Sequence, residues 1–132
     1  MKYLLDMNAL VALGFVHHEF HRRVASWVRA HHHPTLATCA ITELGFVRVL
    51  SQASAYNFTV AHARTLLIHL KETKVLRFVF LPDDHDISQL PGWVKTPRHT
   101  TDGHLVELAR ANGGVLATLD GRIPGAYLIP ES

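Results

Sequence analysis

The acidic residues of this chain are the ones whose types and spacing could do chemistry. Asp6 and Asp120 each directly follow an apolar run, residues 3–5 and 115–119. The carboxyl ends of strands in an open parallel sheet are where ligands bind, so we expect both aspartates at one sheet edge. Asp102 opens the helix that precedes the second apolar run, which brings it near the same edge.

Glu43 differs from the other helical acids because no basic residue lies three or four positions from it on either side. Phe46 and Val47 lie three and four positions after it. Glu43 therefore lies on the same helix face as an apolar stripe that includes Val47 and Leu50. A carboxylate that faces a core is costly unless it is paired or bound to a metal. Glu43 is therefore a fourth candidate for a shared acidic site.

Three of these acids also have an ordinary structural explanation. An ion pair with a distant arginine would account for Glu43, and an acid in a first helical turn answers the helix dipole at Asp102. Asp120 would serve as a turn residue before Gly121. The joint occurrence of the four acids favours a shared site over separate explanations.

Clustered carboxylates repel one another and need a cation. Ligation by oxygen alone selects Mg²⁺ or Mn²⁺ over Zn²⁺. Such a site suits phosphodiester hydrolysis, because the metal lowers the pKa of a bound water and neutralises charge on the in-line transition state. A second ion, ~3.5–4 Å away, would stabilise the leaving oxygen. The histidines at 17, 18 and 21 have only Glu19 as an acidic companion, so no zinc site is predicted there.

Length and composition limit the class of protein. The 132 residues form one predicted domain, and the single cysteine, Cys39, excludes an internal disulfide framework. The longest apolar stretch, residues 9–16, is too short for a membrane helix, and Asp6 interrupts a signal-peptide pattern. We expect a soluble protein of the reducing cytoplasm with no membrane partner. A net charge of +2 permits RNA binding without arguing for it, and the 11 histidines would make affinity for a polyanion pH-sensitive.

Strands alternate with helices along the chain. Strands are predicted at residues 3–5, 35–38, 75–81, 115–118 and 126–129, and residues 82–98 are predicted to be irregular. Helices are predicted at 9–16 (with Asn8 as N-cap), 19–30, 40–51, 60–71 and 101–111. This alternation indicates an α/β fold with a mostly parallel sheet.

Around the four acids the sequence resembles a PIN-domain ribonuclease, and more narrowly a VapC-type toxin, over essentially the whole chain. Residues 4–8, Leu-Leu-Asp-Met-Asn, are similar to the first-strand motif of that family, and residues 38–50 match the helix that carries its second acid. Residues 101–105 resemble the third-acid motif and residues 116–120 the fourth. Met7 and Gly103 depart from the pattern, in which Thr and Ala are frequent, but neither removes a ligand.

The resemblance implies a PIN-like three-layer fold with a central mostly parallel sheet flanked by helices, as a single PIN domain over residues 1–132. It implies a metal-dependent endoribonuclease in which Mg²⁺ or Mn²⁺ and an activated water hydrolyse RNA. The implied metal ligands are Asp6, Glu43 and Asp102, with Asp120 completing the site or acting through water. Asn8 and Thr118 would orient ligands or substrate. Arg98, which lies shortly before Asp102, is a candidate contact for a substrate phosphate, with a structural role as its alternative.

The resemblance further implies partners. The substrate would be RNA, often structured or transfer RNA, and a cognate antitoxin would hold the toxin inactive. A homodimer is expected. One apolar stripe is a candidate antitoxin contact, with core packing as its alternative: Phe20, Val24, Trp27 and Val28.

Two other functions stay open from sequence. A phosphohydrolase with an aspartyl nucleophile usually carries Asp-x-Asp after its first strand, where this chain has Asn8. A non-catalytic PIN-like module that binds RNA or protein is the main alternative, and the presence of all four acids argues against it.

Overall fold

Five parallel strands form the centre of the molecule. The computed structural model describes residues 1–131, with β1 (Lys2–Leu5), β2 (Thr35–Thr38), β3 (Arg77–Phe80), β4 (Gly114–Thr118) and β5 (Tyr127–Leu128). Their order in the sheet is β3-β2-β1-β4-β5, and every neighbouring pair is parallel. All carboxyl ends therefore lie at one edge, as the sequence predicts.

Five helices cover the two faces of this sheet. They are α1 (Met7–Gly14), α2 (His21–Ala30), α3 (Ala40–Gln52), α4 (Val60–Glu72) and α5 (Thr100–Ala111). Single 3₁₀ turns occupy residues 54–56, 87–89 and 97–99. Among residues 1–131, no helix is long and apolar enough to cross a membrane.

Side chains along each strand point alternately to the two faces of the sheet, and this divides the core into two layers. Leu5 and Leu36 pack with the apolar faces of α1 to α4, whereas Leu4 and Leu116 pack with α5 on the other face. Successive side chains of a strand point to opposite faces, so four-residue strands suffice to supply both layers. This arrangement confirms the predicted three-layer α/β fold, and the sheet is parallel throughout.

The sequence misplaces the start of α1. Asp6, not Asn8, is the N-cap: its backbone is extended, and its side chain accepts a hydrogen bond from the Ala9 backbone N–H at 2.8 Å. The parallel ladder continues as far as the Asp6 backbone N–H, which donates to the Ala117 carbonyl at 3.1 Å. The helix therefore begins at Met7, and Asn8 lies exposed in its first turn.

Close packing accounts for both departures from the family pattern. A Cβ added to Gly45 would lie 2.0 Å from the sulfur of Met7, so the larger residue at position 7 is accommodated by a glycine on α3. A Cβ on Gly103 would lie 2.4 Å from a methyl carbon of Val94. Glycine at position 103 thus lets the loop before α5 pack directly against the first turn of that helix.

The apolar stripe on α2 divides between core and surface. Val24, Trp27 and Val28 are at most 2% exposed and belong to the core. Phe20, which lies just before the helix, is 39% exposed. Core packing therefore explains three of the four stripe residues and leaves Phe20 unexplained.

Candidate active site

Asp6 lies where β1 passes into α1, and it is only 8% exposed. One carboxylate oxygen accepts from the Ala9 N–H at 2.8 Å, and the other accepts from the Thr118 hydroxyl at 2.5 Å. Burial raises the pKa of Asp6 despite these two hydrogen bonds, and the negative charges of Asp102 and Asp120 raise it further. The two hydrogen bonds thus do not make up for the cost of burying a negative charge at Asp6.

Thr118 joins the ends of the two central strands that carry Asp6 and Asp120. It is the last residue of β4 and is 1% exposed. Its hydroxyl donates to Asp6 and also accepts from the backbone N–H of Asp120 at 3.0 Å. The parallel pairing of β1 with β4 brings together residues that are 112 positions apart.

Asp102 lies in the first turn of α5 and is half-buried. Burial is the main cause that raises the pKa of Asp102, and the charge of Asp120 adds to it. The charges of His99 and Arg98 act in the opposite direction. Arg98 itself is exposed in the turn before the helix, so its effect on the carboxylate is screened by water.

Asp120 is compensated by an arginine two residues further along the chain. The Arg122 side chain donates to both carboxylate oxygens, at 3.0 and 3.2 Å, and its backbone N–H donates at 3.0 Å. These hydrogen bonds lower the pKa of Asp120. The Asp120 carboxylate is therefore charged and forms an ion pair with the Arg122 guanidinium.

Glu43 is compensated by a lysine from another helix. One of its carboxylate oxygens accepts from both the Thr38 hydroxyl and the Lys71 ammonium, each at 2.5 Å. Lys71 also lies over the Phe80 ring, 5.4 Å from the centroid. An ion pair was the structural alternative for Glu43, and the structure supplies it from Lys71 of α4 rather than from an arginine.

The acids do not share one space: Asp6 and Asp120 line one cavity, and Glu43 lines another. The Asp6 cavity, of about 630 Å³, is lined by Asp6, Asn8 and Asp120 together with the α1–α2 turn and the segment after β4. The Glu43 groove, of about 870 Å³, lies between α3 and α4 and is largely apolar, with Leu44, Val47, Ile68 and Phe80 among its lining residues. The fold thus brings Asp6, Asp102 and Asp120 within electrostatic reach and leaves Glu43 with its own partners.

Several residues that contact the acids or line the Asp6 cavity were not predicted from the sequence. Arg122 stands two positions after Asp120, and this spacing in a turn was a usable signal. Lys71 is 28 residues from Glu43, so only the packing of α3 against α4 shows the pair. The aromatic residues His18 and Phe20 line the Asp6 cavity, and nothing in their spacing indicates this.

The donor set fits a hard divalent cation that keeps part of its water shell. Asp6, Asp102 and Asp120 offer only oxygen ligands, and the raised pKa values of Asp6 and Asp102 mark an uncompensated negative charge. Within residues 1–131, no group of three or more His, Cys, Asp or Glu side chains lies close enough together to hold a metal ion. Mg²⁺ does not need such a group, because it binds through one or two carboxylates and retains several waters.

The chain is similar to named ribonucleases and to solved toxin structures. No family model matches the chain. Ribonuclease VapC38 of Mycobacterium tuberculosis is 39% identical over 126 residues, which cover 91% of this chain and 86% of that relative. Ribonuclease VapC44 of the same species is 36% identical over 136 residues, which cover 96% of this chain and 94% of the relative.

Solved structures share the fold at low sequence identity. The toxin VapC20 of Mycobacterium tuberculosis superposes with a TM-score of 0.66 at 13% identity, covering 98% of this chain and 99% of that one. VapBC2 of Rickettsia felis gives a TM-score of 0.59 at 16% identity, covering 97% of each chain. These two matches show that the chain has the PIN-like fold of the VapC structures. The identity to the curated relatives goes further: the chain belongs to the VapC ribonuclease family, the toxins of toxin–antitoxin systems.

Proposed function

We propose that this protein is a Mg²⁺- or Mn²⁺-dependent endoribonuclease whose metal is held at the Asp6 cavity, in a single PIN domain. The observation that carries the proposal is the buried Asp6 carboxylate, whose pKa is raised by burial and by the neighbouring charges of Asp102 and Asp120. A divalent cation is the partner that would relieve both the desolvation and the repulsion.

Each acid would have a role in metal binding that depends on which side chains already contact its carboxylate. Asp6 and Asp102 are the principal ligands, because neither is held by a cationic side chain at hydrogen-bonding distance among the described residues. Asp120 would complete the site directly or through water, once Arg122 turns to a substrate phosphate. Glu43 would contribute from its pair with Lys71, in the groove between α3 and α4. When bound, the metal supplies a lowered water pKa and charge neutralisation on the transition state.

The neighbouring polar residues would hold this constellation in place. Thr118 fixes the rotamer of Asp6 by donating to it, and it fixes the turn at Asp120 by accepting from its backbone. Asn8 is exposed on the wall of the same cavity and is placed to contact substrate. Arg98 is exposed beside Asp102 and is placed to attract the RNA backbone.

The named relatives support the proposed partners. VapC20 is described as cleaving the sarcin-ricin loop, and VapBC2 of Rickettsia felis was solved bound to a DNA fragment from its promoter. We infer for this chain a structured RNA substrate, with transfer RNA among the candidates, and an inhibitory antitoxin. A homodimer in the cytoplasm completes the proposal.

Cleavage of total RNA by the purified, antitoxin-free protein tests this function. The reactions compare Mg²⁺, Mn²⁺ and EDTA, for the wild type, Asp6→Asn and the matched control Asp84→Asn. Asp84 is 95% exposed at its side chain and pairs only with His85 at 3.9 Å, so its loss should change nothing. Discrete fragments that need the metal and vanish only in Asp6→Asn support the proposal, and sequencing their ends then names the target.

A non-catalytic RNA- or protein-binding module is the second candidate. The pairs Asp120–Arg122 and Glu43–Lys71 favour it, because each neutralises one of the four acids within the protein. RNA binding without cleavage under any metal condition would support this module. Detection of a covalent phosphate on Asp6 would instead revive an aspartyl-nucleophile mechanism.

A further inference from the structure

The Asp6 cavity has a second wall that the proposed chemistry does not use. The turn between α1 and α2 contributes His18, Glu19 and Phe20 to a lining that also includes Asp6 and Asp120. Phe20 is 39% exposed, although the other three residues of its apolar stripe are buried. Core packing therefore does not explain why an aromatic residue stands at position 20, at the edge of a polar cavity.

This wall is held rigidly. The His18 N–H donates to the Phe15 carbonyl and the His21 N–H to the His18 carbonyl, both at 3.0 Å. The His21 ring contacts the Ala12 carbonyl at 2.8 Å, which ties the start of α2 to α1. The centroids of the His18 and Phe20 rings lie 5.8 Å apart.

His18 presents an uncharged ring at neutral pH. Burial lowers its pKa, against the smaller opposing effect of Glu19. Its Nδ1 accepts from the Phe20 backbone N–H at 3.0 Å, which places the hydrogen of the neutral ring on Nε2. The wall thus combines two aromatic rings with one ring N–H donor.

The rest of the cavity suits the other parts of a nucleotide. Arg122 also lines the cavity, and its guanidinium, which is hydrogen-bonded to Asp120, is the group that best matches a phosphate. Asn8 adds an exposed amide on the same cavity. The volume of about 630 Å³ falls within the range of small-molecule sites, so one nucleotide fits beside the carboxylates.

We propose that Phe20 and His18 form a subsite for one unpaired RNA base next to the scissile phosphate, with the base stacked on the Phe20 ring. Stacking on an aromatic side chain accepts every base, because every base has a π-face, so the subsite selects unpaired RNA rather than a sequence. The inference deepens the proposed function and rests on it for the position of the phosphate.

Binding of short RNA to the full chain tests the subsite. The probes are ten-nucleotide single-stranded RNAs with 2-aminopurine at each position in turn, mixed with the Asp6→Asn protein so that cleavage does not consume them. Stacking quenches 2-aminopurine, so we expect one position to be quenched. Adding Phe20→Ala to Asp6→Asn should abolish that quenching and weaken the affinity about tenfold.

Further variants keep the test independent of folding. Phe20→Trp should retain affinity within about twofold, whereas Phe20→Leu, which keeps the apolar surface but loses the π-face, should behave like Phe20→Ala. The matched control is Phe58→Ala, because Phe58 also stacks on a histidine, His62, at 4.1 Å, but lines neither large cavity. Equal affinity and equal quenching in the parent and Phe20→Leu would overturn the subsite.

Cleavage by the single variants separates this inference from the proposed function. If Asp6→Asn cleaves RNA like the wild type, the metal site at Asp6 is wrong, and the quenching measured on mixing, before the probe is cleaved, still decides the subsite. If Asp6→Asn is inactive but Phe20→Leu binds and cleaves like the wild type, only the subsite is wrong. If the subsite acts on binding, its loss in Phe20→Leu should raise KM and change kcat little.

Discussion

The Asp6 cavity and the Glu43 groove hold their carboxylates in opposite states of charge compensation. Asp6 is buried beside two other acids, and its pKa is raised. Glu43 is less buried and shares one oxygen between Lys71 and Thr38. The protein therefore pairs Glu43 with a lysine and gives Asp6 no cationic side chain at hydrogen-bonding distance among the described residues, and the proposed function assigns the metal to Asp6 on this difference.

The same contrast shows in the shape of the two spaces. The Glu43 groove is lined mainly by apolar side chains of α3 and α4, whereas the Asp6 cavity is lined mostly by polar residues from three segments, 6–8, 18–20 and 119–122. A polar cavity at the carboxyl edge of a parallel sheet is the place where this fold class binds ligands. The predictions below follow from that contrast, beginning with the largest effect.

Replacement of the two acids should affect cleavage unequally. Asp6→Asn removes the under-compensated charge and should reduce kcat at least about 100-fold, since a metal contributes several kcal/mol to such transition states. Glu43→Gln leaves Lys71 in place and should reduce kcat only about tenfold. Single-turnover cleavage of one RNA by both variants measures the difference. Equal losses would remove the distinction between the two sites.

The hydroxyl of Thr118 should matter for both stability and rate. Thr118→Val leaves the buried Asp6 with one hydrogen bond and the Asp120 N–H without its acceptor, which should cost about 1–3 kcal/mol of unfolding free energy. The rate should fall about tenfold, because the rotamer of Asp6 is no longer fixed. Thr118→Ser, which keeps the hydroxyl, should recover most of both. A Val variant as stable and active as the Ser variant would contradict the role.

The metal-free protein should lose stability as the pH rises. The pKa of Asp6 is raised above its usual 3.8, so the folded state binds the proton more tightly than the unfolded state. The contribution of Asp6 is fully present below its unfolded pKa and is lost as the pH rises through its folded pKa. Thermal unfolding in EDTA across this range should show a shallower decline for Asp6→Asn. An unchanged profile would show that the charge of Asp6 is compensated after all.

The smallest effect is expected at Arg98. This arginine is exposed, so Arg98→Ala should reduce kcat/KM only about threefold at low salt, and the difference should disappear as salt screens the charge. Lys74→Ala, an exposed charge after α4, provides the control. A large loss that persists at high salt would give Arg98 a direct role at the acidic site.

Much of the fold followed from the sequence, because apolar runs and helix periods are local signals. The edge that carries Asp6, Asp102 and Asp120 followed as well, since parallel strands end together. The cap at Asp6 was missed because the β1–β4 ladder runs one residue past the apolar segment. Lys71 was missed because it reaches Glu43 only through the packing of α3 against α4.

Calorimetric titration of Mn²⁺ into the wild type, Asp6→Asn and Glu43→Gln at pH 7.5 tests the central claim most directly. The account predicts that the wild type binds the ion, that Asp6→Asn loses this binding, and that Glu43→Gln retains most of it. Undiminished binding by Asp6→Asn, or its loss in Glu43→Gln alone, would contradict the assignment of the metal to the Asp6 cavity.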